Sequence, residues 1–423
     1  MSHSPWKILH LAMDEGLSSL PIYPGYQGLY VVFWWQSIPL GHQRISSEQL
    51  PMTATQLLNV AIQTITPTVS HYFSKQGIDV LKQKSVRNTA VVTSTRKLSN
   101  PSADFPVYLK NSISIVIPTR NRTQQLAKCL DSLKNLVVSP AEIIVIDNAP
   151  NSNTTQELVA KIPNIQYFIE PEAGASKARN TGIFHAKGDI VAFIDDDMTV
   201  HPDWLMQIQQ SFEEPEVMAV TGLVLPGELL TEAQQIFEDN WSFIRGFYQV
   251  DFDREFFQQY KNYGVPVWLM GGSGNMAVRR RVFDLLGGFD ERLGAGEKAA
   301  GCSEDSEFCY RLLAEGLLCR YEPKAVAYHY HRQDITNLKQ QVHSYMRGHV
   351  AALLIQYEKY DHWGNLRRLL LSLPKWYLQL FIRGLIRGFG GRYQTLFREI
   401  SGCVAGVIFY FTQRREYKKF SKK

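Results

Sequence analysis

The stretch DIVAFIDDD, residues 189–197, runs from an apolar segment straight into three carboxylates. A short, continuous apolar run of this kind reads as a strand buried on both faces, as in a parallel sheet. Working outward, SISIVIP (112–118), EIIVID (142–147) and IQYFI (165–169) have the same character, with helical sequence between them. The first of those helices carries Leu126, Cys129, Leu130, Leu133 and Leu136 at helical spacing, with Thr123 as its expected cap. Strands alternating with amphipathic helices predict a doubly wound α/β sheet. In such a sheet ligands bind beyond the carboxyl ends of the strands. That rule nominates the residues after Ile117, Ile146 and Ile194, and all three places are polar. They read Pro118-Thr119-Arg120-Asn121-Arg122, Asp147-Asn148 and Asp195-Asp196-Asp197.

Three consecutive carboxylates repel one another, so at a strand end they call for a counter-ion. A hard divalent cation, Mg²⁺ or Mn²⁺, bridging diphosphate oxygens is the natural partner. Strand alternation puts Asp195 and Asp197 on one side and Asp196 on the other. The competing reading is a solvated acidic turn leading into Pro202. A dinucleotide-dependent oxidoreductase is disfavoured, because PTRNRT and not a GxGxxG loop follows the first strand.

PTRNR, VIDN, GASKARNTGI, AFIDDDM, GGSGNMAVRR and SEDSEF, in that order, resemble the family 2 glycosyltransferases. The resemblance covers roughly residues 111–335. It implies the GT-A fold, a Rossmann-like mixed sheet flanked by helices, and an inverting, nucleotide-sugar-dependent transferase using Mg²⁺ or Mn²⁺. By the same resemblance Asp147 recognises the nucleobase of a UDP- or GDP-linked donor. Pro118, Thr119, Arg120 and Arg122 frame the nucleoside and phosphates, and Lys177, Arg179 and Asn180 line the same pocket. Asp195 and Asp197 form the DxD pair, Asp195 at the ribose or metal and Asp197 on the metal. Asp196 stays open, since three aspartates allow a slip by one.

The loop Gly271-Gly272-Ser273-Gly274-Asn275 is implied to admit the sugar, with Gly272 and Asn275 as contacts. The base is implied in the Glu304-Asp305 pair, Asp305 taking the acceptor proton and Glu304 binding acceptor or bracing the loop. Acidic residues are also favoured in any first helical turn. His329 or His331 in AYHYHRQ is a further metal-ligand candidate, His329 the preferred one. Tyr345-Met346-Arg347-Gly348 resembles a basic segment near the diphosphate in several relatives. The QxxRW motif of processive synthases is missing, so a single sugar addition to a glycan or lipid-linked hydroxyl is expected. A non-catalytic nucleotide-sugar-binding or scaffold protein is the alternative.

Outside this region, residues 1–95 read as a small α+β accessory module. LYVVFWW (29–35) and IPLGHQRI (38–45) form a strand pair, followed by an amphipathic helix with Leu57, Leu58, Ala61, Ile62 and Ile65 on one face. A polar stretch leads to a linker at 96–110, and residues 336–423 form a helical, basic region. No signal peptide is read in MSHSPWKILHLAMDEG, and no run reaches about 18 apolar residues, so a cytoplasmic chain without a confident membrane span is expected. Five cysteines without CxxC spacing suggest neither a disulfide framework nor a zinc site.

With 423 residues, two or three domains are expected, and 45% hydrophobic content excludes a disordered chain. The net charge of +5 is unevenly spread. Residues 361–423 hold 13 Lys+Arg against 3 Asp+Glu, and the preceding 360 hold 32 against 37. Lys375, Gln379, Arg383 and Arg387 form one stripe on a broadly apolar helix, and ISGCVAGVIFYF (400–411) is too short to span a bilayer. This split, on a broadly apolar helix, points to an anionic, cytoplasmic membrane face for peripheral attachment, and no nucleic-acid partner is expected. A pair of core helices packed on the catalytic domain is the alternative.

Overall fold

The structure, a computed structural model, describes residues 4–75 and 111–420. The expected linker at 96–110 lies outside the described residues. Three strands open the chain: β1 (Trp6–Ala12), β2 (Gly28–Trp35) and β3 (Ile38–Ser46). β2 pairs with β3 antiparallel, as the sequence predicts, and β1 adds a parallel edge that the sequence reading passed over. Alternate β2 residues serve two cores. Leu29, Val31, Phe33 and Trp35 pack with Leu57, Ala61, Ile62 and Ile65 of helix Ala54–Lys75. Tyr30, Val32 and Trp34 instead join the core beneath the main sheet, with Leu225 and Leu229. The N-terminal module is therefore sealed onto the catalytic body.

The main sheet contains β4 (Ile113–Thr119), β5 (Glu142–Asn148), β6 (Ile165–Glu170), β7 (Ile190–Ile194), β8 (Met198–Val200), β9 (Val217–Pro226), β10 (Val250–Phe252), β11 (Asn275–Arg279) and β12 (Leu318–His329). Its order is β10-β12-β9-β11-β7-β4-β5-β6, with β8 beside β12. The four strands foreseen from the apolar runs, β4 to β7, are mutually parallel. β11 then runs antiparallel between β7 and β9, which makes the sheet mixed. Ile113, Ile115 and Ile117 of β4 and Ile190, Ala192 and Ile194 of β7 enter one core. Val116, Val191 and Phe193 enter the other. Helices cover both faces, so the strands are apolar throughout.

One local expectation fails. Thr123 does not cap helix Thr123–Leu133: it is the first helical residue, Arg122 holds the cap position, and the Thr123 hydroxyl bonds Thr154 instead.

The C-terminal helices turn back and forth. Helix Ile335–Tyr360 is followed by Trp363–Arg367, a π-turn at Arg368–Ser372, helix Leu373–Arg387 and helix Leu396–Phe420. The last helix runs beside the first of them. Gly402 and Gly406 permit this, because a Cβ at either would strike the carbonyls of His343 and Arg347. Against the expectation of no spanning segment, Gly391–Arg414 is long enough to cross a membrane and contains a window of mean hydropathy 1.2, by length and composition only. The averaged window carries through Arg398 and Glu399 to Leu396 and Phe397, where the count of an apolar run stops at Ile400.

Candidate active site

The residues at the carboxyl ends of β4, β5 and β7 do converge. β7 stops at Ile194, so Asp195, Asp196 and Asp197 form the turn into β8 and are not strand residues. Their exposure still alternates: Asp195 and Asp197 are partly exposed and Asp196 is buried. Asp196 accepts from the Thr119 hydroxyl at 2.8 Å and from Arg122 Nη1 at 3.2 Å. Burial and the neighbouring Asp197 charge raise it to about 7. Arg122 also reaches Asp197 at 2.9 Å, so one guanidinium bridges the two carboxylates.

Asp197 Oδ1 lies 3.3 Å from His329 Nε2. Although burial opposes its charge, Asp197 is held well below the usual carboxylate range, chiefly by His329 and Arg122. His331 turns elsewhere. Its Nε2 lies 3.7 Å from Glu238 of helix Glu232–Trp241, and its ring stands edge-on to His329. Sequence reading gave no sign of Glu238, a buried carboxylate inside an ordinary amphipathic helix.

Among the described residues no three of His, Cys, Asp and Glu converge as a self-sufficient metal cage. The donor set nevertheless fits Mg²⁺ or Mn²⁺ bound with a diphosphate. Asp195 and Asp197 offer hard oxygens, His329 offers an imidazole, and the His329 Nδ1 is buried without a partner.

Arg179, on helix Ala175–His185, is the hinge of the site. Fully enclosed, it donates to Asp195 at 2.6 Å and to Glu304 at 2.8 Å. Burial disfavours its charge, but Asp195, Glu304 and Asp305 more than offset this and hold it ionised. Glu304 sits beneath it with Oε2 unpartnered, raised to about 7 mainly by burial. Asp305 is more open than Glu304 and accepts from the amides of Ser273 (3.1 Å) and Ser306 (2.6 Å).

The glycine loop touches both sides. A Cβ at Gly272 would come 3.0 Å from Asp305 Oδ2, and one at Gly274 would come 2.8 Å from Asp195 Oδ2. The backbone thus passes close to both carboxylates, where a Cβ would make either side chain give way.

Asp147, at the end of β5, is buried, with Oδ2 accepting from the Tyr167 hydroxyl at 2.8 Å and Oδ1 left unpartnered. Burial raises it. An acceptor in this state is suited to a single N–H donor.

Other candidates spend their side chains elsewhere. Asn180 grips both backbone polar groups of Phe289, at 2.9 and 2.8 Å. Asn275 accepts from Trp204 Nε1 at 2.8 Å and donates to the carbonyls of Leu223 and Ala325. Lys177 pairs with Glu172, and Arg120 lies 3.3 Å from the exposed Glu297. Pro118, one residue before the end of β4, is half-buried. Arg347 faces the last helix, its guanidinium 4.8 Å from the Phe409 ring centroid.

Residues 114–286 match the family model described as Glycosyl transferase family 2. The chain is 27% identical over 247 residues to the pre-mycofactocin glycosyltransferase of Mycobacterium tuberculosis, covering 58% of this chain and 47% of that protein. It is 24% identical over 209 residues to the glucosyl-dolichyl phosphate glucuronosyltransferase of Haloferax volcanii, covering 48% and 63%. The chain thus spans about half the length of the curated relatives it matches. Among solved structures, a mannosyltransferase of Pyrobaculum calidifontis in complex with GDP-Man and Mn²⁺ superposes with a TM-score of 0.50 at 14% identity, over 83% of this chain and 98% of that one. The mixed sheet, the ordered motifs and the matched segment agree: residues 114–286 are similar to glycosyltransferase family 2, and the chain has the GT-A fold.

Proposed function

We propose that the chain is a metal-dependent, inverting, non-processive glycosyltransferase that moves one sugar from a UDP- or GDP-linked donor to a hydroxyl of a glycan or lipid-linked acceptor. The observation that carries this reading is the glycine loop, which meets Asp195 at Gly274 and Asp305 at Gly272. A donor carboxylate and a candidate base thus face one short loop, two residues apart along it.

Asp147 accepts from the base, and Asp195, Asp197 and His329 would hold the cation. A Mg²⁺ or Mn²⁺ held there would supply charge neutralisation to the leaving diphosphate. Asp305 takes the proton from the acceptor hydroxyl as that oxygen attacks the anomeric carbon from the side opposite the diphosphate. The Ser273 amide fixes the Asp305 carboxylate toward the loop. Glu304, buried and bound to Arg179, orients that guanidinium and leaves the proton transfer to Asp305. Asp196, Asn180 and Asn275 brace the site. The solved mannosyltransferase with GDP-Man and Mn²⁺ supports the donor and metal classes, and the dolichyl-phosphate-acting relative supports a lipid-linked acceptor. The basic, apolar C-terminal helices support a peripheral position on the cytoplasmic membrane face.

The test is a thermal-shift panel of UDP, GDP, their sugar conjugates and NAD, each with and without Mn²⁺. One of the nucleoside diphosphates raises Tm only with metal, and NAD does not. A metal-independent shift, or a shift by NAD alone, overturns the reading.

A further inference from the structure

Helix Leu373–Arg387 buries one narrow face, Leu373, Tyr377, Leu380 and Gly384, against the protein. Leu378, Leu385 and Ile386 stand out from the rest, with 60%, 62% and 78% of their surface exposed. At 100° per residue, Leu378, Ile382 and Leu385 make a stripe, and Lys375, Gln379, Arg383 and Arg387 start beside it and wind away toward the buried face. Helix Leu396–Phe420 exposes a second apolar stripe, Phe397, Val404, Ile408 and Phe411. The two helices meet through the rings of Phe381, Phe389 and Phe397. An apolar surface of this extent, edged with cations, has the features of an in-plane membrane helix.

This surface is joined to the acceptor loop. Arg367 lies 4.3 Å from the Tyr263 ring centroid, and Arg368 lies 4.0 Å from that of Trp268. Arg368 also donates to His349 Nε2 at 3.1 Å, which fixes it to helix Ile335–Tyr360. Trp268 belongs to the short helix Val267–Met270, and the next residues are the glycine loop that meets Asp305. Leu269, between them, is exposed.

We propose that the exposed face of residues 363–411 docks on an anionic lipid bilayer and holds the Gly271–Asn275 loop there, so that a lipid-linked acceptor approaches Asp305 from the membrane side. This rests on the glycosyl-transfer reading. Charge selects the occupant. Lys375, Arg383 and Arg387 have no ion pair among the described residues, and an isologous second copy would bring the same cations against them. Residues 76–110 are themselves basic, with six Lys+Arg against two Asp. An anionic headgroup layer over acyl chains complements both stripes at once.

The experiment uses the full chain and phosphatidylcholine vesicles with or without phosphatidylglycerol, read by flotation and by amide hydrogen exchange. Wild type floats with the anionic vesicles, and exchange slows both in 363–387 and in 267–275. The triple variant Lys375→Glu/Arg383→Glu/Arg387→Glu weakens that partition on the order of 100-fold. The variant Leu378→Ser/Ile382→Ser/Leu385→Ser weakens it whatever the headgroup. Both variants keep the wild-type Tm shift with nucleotide and Mn²⁺, which shows that the donor site is intact. Absence of flotation by the wild type, flotation unchanged in both variants, a dimer that covers the face in place of vesicle binding, or protection that leaves out 267–275 overturns the proposal. Vesicle binding without any nucleotide–metal shift contradicts the glycosyl-transfer reading instead.

Discussion

At the candidate site, each arginine is already paired inside the protein: Arg122 bridges Asp196 and Asp197, and Arg179 bridges Asp195 and Glu304. Along the C-terminal foot, Lys375, Arg383 and Arg387 stand in solvent beside exposed leucines and isoleucines. The difference follows from burial. A guanidinium as enclosed as Arg179 is tolerated only with partners, whereas exposed lysines and arginines cost little alone. A pre-paired cleft suits a small, highly charged ligand that joins a rigid constellation. An unpaired stripe suits an extended anionic surface with no fixed geometry.

The largest effect expected within this contrast comes from Arg179→Met. It leaves Asp195 and Glu304 without their shared cation, and thermal or urea unfolding should register a loss of about 3–5 kcal/mol. A loss no greater than that of an exposed arginine would mean that the cleft is no more pre-paired than the foot.

A smaller effect separates bracing groups from binding groups. Asn275→Ala leaves the Trp204 indole and two carbonyls without partners, costing about 1–3 kcal/mol of stability. Once folded, the variant should keep nucleotide affinity within a few-fold by calorimetry. A large loss of affinity at unchanged stability would return Asn275 to the ligand pocket.

The smallest effect concerns the joint between the two regions. His349 is half-buried against Arg368 and lowered to about 3, chiefly by desolvation. The folded chain therefore holds it neutral while the unfolded chain protonates it near the ordinary 6.5. Its contribution is complete above pH 6.5 and declines as the pH falls from there toward 3. The stability gap between wild type and His349→Gln should narrow or reverse over that range. A gap that widens as the pH falls would show that His349 takes a proton in place.

Much of this was legible because burial leaves a plain mark on strands. SISIVIP, EIIVID and DIVAFID are apolar on both faces, and the strand-end rule then pointed to Thr119, Asp147 and Asp195. The antiparallel half was less legible, since β8 and β10 have three residues each and too little pattern to read. Polar residues near the loop misled for a definite reason. Asn180 and Asn275 look the same in sequence whether they grip a sugar or a carbonyl, and here they grip backbone. Thr123 resembled a cap because hydroxyl residues usually serve there, yet the chain turned one residue earlier. Glu238, Trp268 and Arg368 left no signal, because their partners lie far away in sequence.

The central claim is that Asp305 is the base acting across the glycine loop from a donor held by Asp195 and Asp197. The most direct measurement compares Asp305→Asn with wild type in two assays on the same sample: the Tm shift with nucleotide and Mn²⁺, and sugar transfer. The account predicts an unchanged shift and transfer reduced by about 10²–10⁴-fold. Transfer at the wild-type rate, with donor binding intact, would contradict it.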